Sequence, residues 1–140
     1  MKPFQPPSDR QVFTALITPE RGDFDENGHV NNVVYVGWLQ DAGTAHWNAR
    51  FDAAARARWS WVAVRHEIDY FHPLPPDAVD VKARTWVGDP QGPRFNRYVR
   101  IEDGEGRLCA QGVSEWVLVD AATMRPHRIP ADMLPAFEAR

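Results

Sequence analysis

Apolar residues recur at two different spacings along the chain, and the change of spacing separates one helical segment from several extended ones. From Val33 to Phe51 apolar residues recur every three or four positions, which predicts a long helix with one buried face. The residues of that face are Tyr35, Trp38, Leu39, Ala42, Ala45 and Ala49. Gly37 and Gly43 in the same segment indicate that the helix lies very close to another element, such as a sheet curled around it.

A spacing of two predicts strands before and after this helix. The first strand covers residues 11–18 and ends at Pro19. Four strands follow the helix, separated by turns rich in Pro, Gly and Asp, and they cover residues 62–71, 79–87, 95–101 and 108–120. Strand 62–71 alternates so that one face carries Val62, Val64, His66, Ile68 and Tyr70. Because hairpin-length turns join these four strands, we expect each to pair antiparallel with the next.

The order of elements predicts a single α+β domain over residues 1–140. Residues 52–59 add a helical turn or two, residues 131–139 form a short terminal helix, and residues 1–9 form a flexible or strapping N-terminal arm. One long helix covers only one face of a five-stranded antiparallel sheet. We therefore expect a second subunit to cover the remaining surface or to extend the sheet edge to edge.

Composition and charge exclude several classes of function. The net charge is −3, so the chain lacks the basic footprint of a nucleic-acid-binding protein. No apolar run is long enough for membrane insertion and no secretory leader is recognisable, which predicts a cytoplasmic protein. The single cysteine, Cys109, excludes an internal disulfide, and we interpret it as a small strand residue. His46, His72 and His127 have no metal-ligand spacing, so no metal site is predicted.

The most polar stretch immediately precedes the long helix. Residues 21–32 contain two Asp, one Glu, three Asn, two Gly and one His. A polar turn at a helix N-terminus suits a carbonyl or an anion, because unpaired backbone N–H groups point at the ligand there. Asp23 and Asp25 are both candidates for a catalytic carboxylate, and the local pattern alone does not choose between them. Asp25 could equally serve only to cap the turn.

The run Asp25-Glu-Asn-Gly-His-Val-Asn-Asn32 resembles the entry to the long helix in hotdog-fold acyl-CoA thioesterases of the 4-hydroxybenzoyl-CoA thioesterase-like group. Residues 29–38 are also similar to plant acyl-carrier-protein thioesterases, and residues 64–73 are similar to the second strand of the group. The resemblance implies a hotdog fold, a homodimer or a dimer of dimers, and hydrolysis of an acyl-CoA or acyl-carrier-protein thioester. It implies no cofactor, since coenzyme A is part of the substrate.

The resemblance also assigns roles to residues of the turn. Asp25 falls on the catalytic carboxylate, acting as base or nucleophile, and Asn27 and His29 match side chains assigned to the site in the plant enzymes. Asn32 falls where a backbone N–H polarises the thioester carbonyl. Part of the family has His or Tyr at that place, so only the backbone role carries over to Asn32.

Other residues are candidates for binding the substrate. Gly28 permits a tight turn and a close approach of the ligand. Val30 and Tyr35 are the expected neighbours of the acyl group, whereas His66 and Glu67 line the pocket or pair at the seam between subunits. Contacts to the coenzyme A phosphates are expected from among Arg65, Arg84, Arg97 and Arg100. For Arg94, Arg97 and Arg100 the alternative is an exposed strand face.

Two other functions fit the same fold. A hydratase-like lyase would need Asp and His five residues apart with Pro between them, whereas Asp25 and His29 are four apart and Pro is absent. A non-catalytic acyl-CoA sensor would bind the same ligand without turnover. The sequence does not indicate the acyl group or the pathway.

Overall fold

A computed structural model describes residues 2–139 and shows a long helix partly wrapped by one antiparallel sheet. The strands are β1 (Phe13–Ile17), β2 (Trp59–Tyr70), β3 (Val81–Val87), β4 (Arg94–Glu102) and β5 (Leu108–Asp120). The helices are α1 (Asn32–Arg50) and the short α2 (Ala53–Arg58). Five antiparallel strands around one long helix confirm the predicted α+β hotdog fold. No helix within residues 2–139 meets the length and hydropathy needed to cross a membrane.

The order of strands in the sheet differs from the sequence-based prediction. The order is β1-β3-β4-β5-β2, so β2 pairs with β5 and not with β3. The connection at residues 71–80 is too long for a tight hairpin and carries the chain from one edge of the sheet to the far side. The first residues of this connection are hydrogen-bonded to the start of β5. Phe71 N and His72 N both donate to Cys109 O, at 2.8 and 3.1 Å.

A β-bulge interrupts β2. Ala63 pairs with Trp116 and Arg65 pairs with Glu115, which leaves Val64 as an extra residue on the β2 side. Residues before and after a bulge change face, so the single stripe predicted from Val62 to Tyr70 is wrong. His66 pairs with Ser114, and this second half of β2 shares the helix side of the sheet.

Helix α1 begins and ends at side-chain and backbone caps. The side chain of Asn31 accepts a hydrogen bond from Val33 N at 3.1 Å, as an N-cap residue does. The helix ends at Arg50, the C-cap residue Phe51 donates its N–H to Trp47 O, and Asp52 then caps α2. The predicted buried face is correct from Tyr35 to Ala42. Beyond it Gly43 and His46 are buried instead, while Ala45 is half-buried and Ala49 is exposed.

Helix α1 lies against the sheet at a place where a strand has no side chain. A Cβ atom at Gly112 of β5 would lie 2.4 Å from Cδ1 of Leu39. Two clusters of buried apolar residues lie on either side of this close contact. The cluster near the start of α1 includes Val30, Tyr35, Trp38, Leu74, Val81 and Ile101. The cluster near its end includes Trp59, Val87, Phe95, Leu118, Ile129, Met133 and Phe137.

The two ends of the chain cover other parts of the sheet. In the N-terminal arm, Phe4 N donates to Gln111 Oε1 at 2.7 Å, and Arg100 donates to Phe4 O at 2.7 Å. The predicted terminal helix is instead a 3-10 helix over Ala131–Phe137, because Pro135 inside it has no N–H for an α-helical bond.

Candidate active site

The segment that precedes α1 folds into a tight hairpin. Phe24 and Val30 form an isolated antiparallel bridge, and Asp25 N donates to His29 O at 2.8 Å. The hairpin is closed by Gly28, whose N–H donates to Asp25 O at 3.0 Å and whose φ is +74°. A positive φ favours glycine, so the sequence folds this way because residue 28 has no side chain.

The carboxylate of Asp25 has two oxygens in different environments. Its Oδ1 accepts hydrogen bonds from Asn27 N at 2.9 Å and from His29 N at 3.1 Å. Its Oδ2 accepts no hydrogen bond from any residue in the range 2–139, and the side chain is half-buried. One oxygen therefore holds the turn, as an Asx turn does, while the other remains available to a ligand or water.

The start of α1 offers an N–H group to the same region. Asn31 N donates to Asp23 O at 2.7 Å, which ties the turn to the helix. The first-turn N–H groups of Val33 and Val34 donate to Asn31, at Oδ1 and O respectively. Asn32 N has no acceptor within the described chain, so its N–H is free to polarise a carbonyl at the positive end of the helix.

Asp23 has a structural role. Its Oδ2 accepts a hydrogen bond from Glu20 N at 2.7 Å, and the two residues form a capping box around the short 3-10 helix Arg21–Asp23. Its backbone O accepts from Asn31. Each of the two aspartates that the local pattern left open thus has one carboxylate oxygen without a partner among residues 2–139, and the resemblance at Asp25–Asn32 is what favours Asp25.

Two tyrosines and the 71–80 connection contact the turn and the start of α1. Tyr35 is buried, and burial raises the pKa of its hydroxyl to about 12, so it stays protonated. The ring of Tyr35 meets Tyr70 edge to face at 5.3 Å, and the Tyr70 hydroxyl donates to Asn32 O at 3.4 Å. Leu74 O accepts from Val30 N at 3.4 Å.

Neither Tyr70 nor Leu74 was predicted to belong to the site. The signal for Tyr70 was its position four residues after His66 in an alternating strand, which places both on the same face. Leu74 acts through its backbone, and no side-chain pattern indicates that. The other predicted members of the turn are present, with Val30 buried and the side chains of Asn27 and His29 exposed.

The remaining predicted binding residues lie away from the turn. His66 lies on the helix side of β2, where its Nδ1 is 2.6 Å from Ser114 Oγ and its Nε2 is 3.4 Å from Gln40 Nε2. Arg65 and Glu67 form an ion pair on the opposite side of β2. Arg84 also lies on that outer face, where it and Arg100 both bind Glu102, at 3.3 and 2.9 Å.

For Arg97 the alternative of an exposed strand face is wrong. Its exposed fraction is 3%, and its Nη1 donates to His46 Nδ1 at 3.0 Å and to Thr85 Oγ1 at 3.1 Å. Arg97 pairs with Ser114 in the register of β4 and β5, which puts it on the helix side of the sheet. It therefore lies in the interior and not on an exposed strand face.

Comparison with solved structures finds the same fold in several thioesterases. A predicted thioesterase from Bacillus stearothermophilus is 28% identical, with a TM-score of 0.74 over 88% of this chain and 91% of that one. A thioesterase from Thermus thermophilus, crystallised with coenzyme A and Zn, is 20% identical, with a TM-score of 0.75 over 88% and 89%. A 1,4-dihydroxy-2-naphthoyl-CoA thioesterase from Synechocystis is 16% identical, with a TM-score of 0.76 over 90% and 95%.

Comparison of the sequence itself gives the family. A search of curated proteins gives no match. The family model described as the thioesterase-like superfamily matches residues 20–137, which include the turn, α1 and all the strands from β2 to β5. The match covers well over half of the chain, and the architecture agrees with it. The chain therefore belongs to the thioesterase-like superfamily.

Proposed function

We propose that this protein hydrolyses acyl-CoA thioesters to a free acid and a thiol at the turn before α1. The observation that carries the proposal is the pairing of two unsatisfied groups on one short hydrogen-bonded segment. The free oxygen of Asp25 supplies a base or nucleophile, and the free N–H of Asn32 supplies an oxyanion donor. Membership of the thioesterase-like superfamily supports the same reaction class.

The chemistry can follow either of two balanced routes. As a base, Asp25 Oδ2 takes a proton from water, whose oxygen attacks the thioester carbon. As a nucleophile, the same oxygen attacks the carbon and forms an anhydride that water then hydrolyses. In both routes the carbonyl oxygen becomes negative and accepts a hydrogen bond from Asn32 N–H before the C–S bond breaks. The departing thiolate then takes up a proton, from protonated Asp25 in the first route and from water in the second. Asn27 and His29 lie beside Asp25 and orient the water.

Coenzyme A is the proposed thiol carrier, with acyl carrier protein as the other donor to be tested. The Thermus structure was solved with coenzyme A, and the Synechocystis protein is described as acting on a CoA thioester. Both are similar to this chain at the level of fold, so their ligands motivate the choice of substrates. The two donors are separated by assaying the same acyl group on each carrier.

The proposal further includes a second copy of the chain. Strand β2 forms one edge of the sheet over Trp59–Tyr70, and it exposes Val62 and Val64. A long edge strand with unpaired backbone groups is a template for pairing with another strand. We expect two β2 strands to pair, which would build a continuous sheet across a homodimer or within a dimer of dimers.

The turn is tested with two matched substitutions. Asp25→Asn keeps an Oδ1 acceptor for Asn27 and His29 but removes the charge, and we expect thiol release to fall at least about 10²-fold. Asp23→Asn changes the other aspartate of the segment in the same way and should leave the rate within about twofold, because Asp23 acts as a cap. Wild-type turnover by Asp25→Asn would exclude Asp25 as base or nucleophile.

The same assay on a panel of acyl-CoAs separates the other two functions. A sensor would bind an acyl-CoA without releasing thiol. A hydratase would consume an enoyl-CoA without releasing thiol. Either result with every acyl group tested would overturn the hydrolase proposal.

A further inference from the structure

A cavity of about 330 Å³ lies at the other end of α1, away from the turn. Residues 43–48 of the helix form one wall, and at 1.5 Å per residue they begin roughly 16 Å along the helix from Asn32. The helix contributes Trp47, and most of the remaining wall is also aromatic, with Trp59, Trp61, Phe95 and Trp116. The residues that line the cavity include two arginines, Arg56 and Arg97, and no aspartate or glutamate.

Arg97 carries a buried charge with no anion beside it. Its two hydrogen-bond acceptors within residues 2–139 are Thr85 and His46. His46 is neutral, because burial, then Arg97, then Arg50 lower its pKa to about 3. Its Nε2–H donates to Gln11 Oε1 at 3.0 Å, which leaves Nδ1 as the acceptor for Arg97.

The environment of Arg97 offsets only part of the cost of burying its charge. The guanidinium lies 5.7 Å from the centre of the Phe95 ring, a weak cation–π contact. Its Nε and Nη2 atoms donate no hydrogen bond to any described residue. Buried charges in proteins are ordinarily paired, so Arg97 lacks an anionic partner that protein interiors normally provide.

Trp116 is a second lining residue of the cavity that has an unsatisfied donor. Its Nε1 is buried. It is the one fully buried side-chain nitrogen or oxygen in residues 2–139 that has no hydrogen-bond partner. The indole N–H can only donate, so it needs an acceptor. Arg97 and Trp116 both line the cavity. Their N–H groups that lack partners suit a ligand that is negatively charged and accepts hydrogen bonds.

We infer that this cavity binds a small aromatic carboxylate, with the carboxylate at Arg97 and the Trp116 N–H and the ring among the tryptophan side chains. The volume is at the lower end of the range for small-molecule pockets, which suits a single ring and its acid group. The ligand could be a free acid or the distal carboxylate of a longer molecule, and the same contacts serve both. This inference does not require thioester hydrolysis.

Isothermal titration of the wild-type protein with benzoate and with benzamide tests the preference for a charged ligand. The two probes have the same shape, so the inference predicts that benzoate binds at least about tenfold more tightly. Equal affinities, or no benzoate binding up to about 10 mM, would overturn it. Titration with 4-(propylcarbamoyl)benzoate identifies the source: retained affinity indicates the end of a longer molecule, and loss indicates a free acid.

Three variants assign the contacts. Arg97→Met keeps an unbranched side-chain stem and removes the charge, and it should weaken benzoate binding at least about tenfold without weakening benzamide binding. Trp116→Phe removes the N–H and should weaken benzoate binding by about fivefold or more. Arg125→Met removes an exposed cation outside the cavity and should change neither affinity.

The variants also separate a binding role from a purely structural one. Replacing an unpaired buried cation by an apolar group should leave the melting temperature of Arg97→Met equal or higher. If that variant does not fold, Trp116→Phe and the ratio of benzoate to benzamide affinity decide the question. Unchanged benzoate affinity in Trp116→Phe, or in a folded Arg97→Met, would contradict the inference. Loss of hydrolysis in Asp25→Asn should leave benzoate binding intact, so the two proposals fail separately.

Discussion

His46 is completely buried on the sheet-facing side of α1, and each of its ring nitrogens has a different partner. Nε2 binds Gln11 in the segment before β1, and Nδ1 binds Arg97 in β4. The imidazole therefore connects three elements while it remains neutral. A proton on Nδ1 would remove the acceptor for Arg97 and place two cations side by side, which explains why the pKa is lowered to about 3.

This shift predicts a loss of stability in mild acid. Unfolded His46 takes up a proton near pH 6.5, whereas folded His46 does so near pH 3. Between these values only the unfolded state binds the proton, so the free energy of unfolding falls as the pH falls. At about pH 4.5 the loss from this one residue is roughly 2–3 kcal/mol relative to pH 7.

Urea denaturation at the two pH values measures this contribution. In His46→Gln the difference in unfolding free energy between them should be smaller by about 2 kcal/mol, since glutamine does not titrate. His72→Gln changes an exposed histidine and should leave the difference as in the wild type. If His46→Gln were as acid-sensitive as the wild type, other groups would be responsible.

The contact between α1 and β5 shows how an element depends on one small residue. Leu39 is 1% exposed and occupies the space over Gly112, so the side chain cannot move aside without disturbing the core. We expect Gly112→Ala to lower the free energy of unfolding by about 1–3 kcal/mol through overpacking. Thermal or urea denaturation measures this change.

Two variants check that the effect is local. Gly37 lies on the exposed side of α1, and no other element comes within 4 Å of the position that a methyl group would take there. Gly37→Ala should therefore stabilise the protein by about 0.5–1 kcal/mol. Combining Gly112→Ala with Leu39→Ala should cost less than the sum of the two single changes, because the added methyl occupies vacated space. Strict additivity would show that the two residues do not compete for space.

Patterns within a segment predicted the helices and strands themselves better than they predicted how the strands pair. Helix α1 and strand β5 were predicted to within about one residue, because periodicity and capping are encoded within each segment. The pairing of β2 with β5 and the bulge at Val64 depend on contacts between segments far apart in sequence. Periodicity within one strand contains no information about its neighbour, so these features could not be predicted.

The same distinction applies to the two sites. The turn could be predicted because Asp25, Gly28 and Asn32 are contiguous, and the hydrogen bonds that shape it are local. The buried position of Arg97 had a signal, since it alternates in phase with Phe95 and Val99, but its charge favoured the interpretation of an exposed residue. The cavity beside it is built from α1, α2, β2, β4 and β5 and has no local signature.

Assembly into a dimer could involve either edge strand of the sheet, β1 or β2, and the two possibilities lead to different predictions. The proposed interface is the β2 edge, so the protein should sediment as a dimer or larger at micromolar concentration. Val62→Lys with Val64→Lys places two charges on that edge and should raise the dissociation constant at least about tenfold. Analytical ultracentrifugation over a dilution series measures the shift.

Leu16 on the opposite edge provides the matched control. Among residues 2–139 it is the most exposed large apolar side chain, at 81%, and it lies in β1 at the far side of the sheet. Leu16→Lys should leave the dissociation constant unchanged. Dissociation by Leu16→Lys and not by the β2 variant would assign the interface to β1, and a monomeric wild type would exclude both.

Residues 9–11 and residues 137–139 are joined by backbone hydrogen bonds. Gln11 N donates to Phe137 O at 2.9 Å, and Ala139 N donates to Asp9 O at 3.0 Å. During synthesis Asp9 and Gln11 therefore lack these two partners until residues 137–139 have left the exit tunnel, and β1 likewise waits for β3. This part of the fold is therefore expected to close after the contacts among the earlier residues have formed.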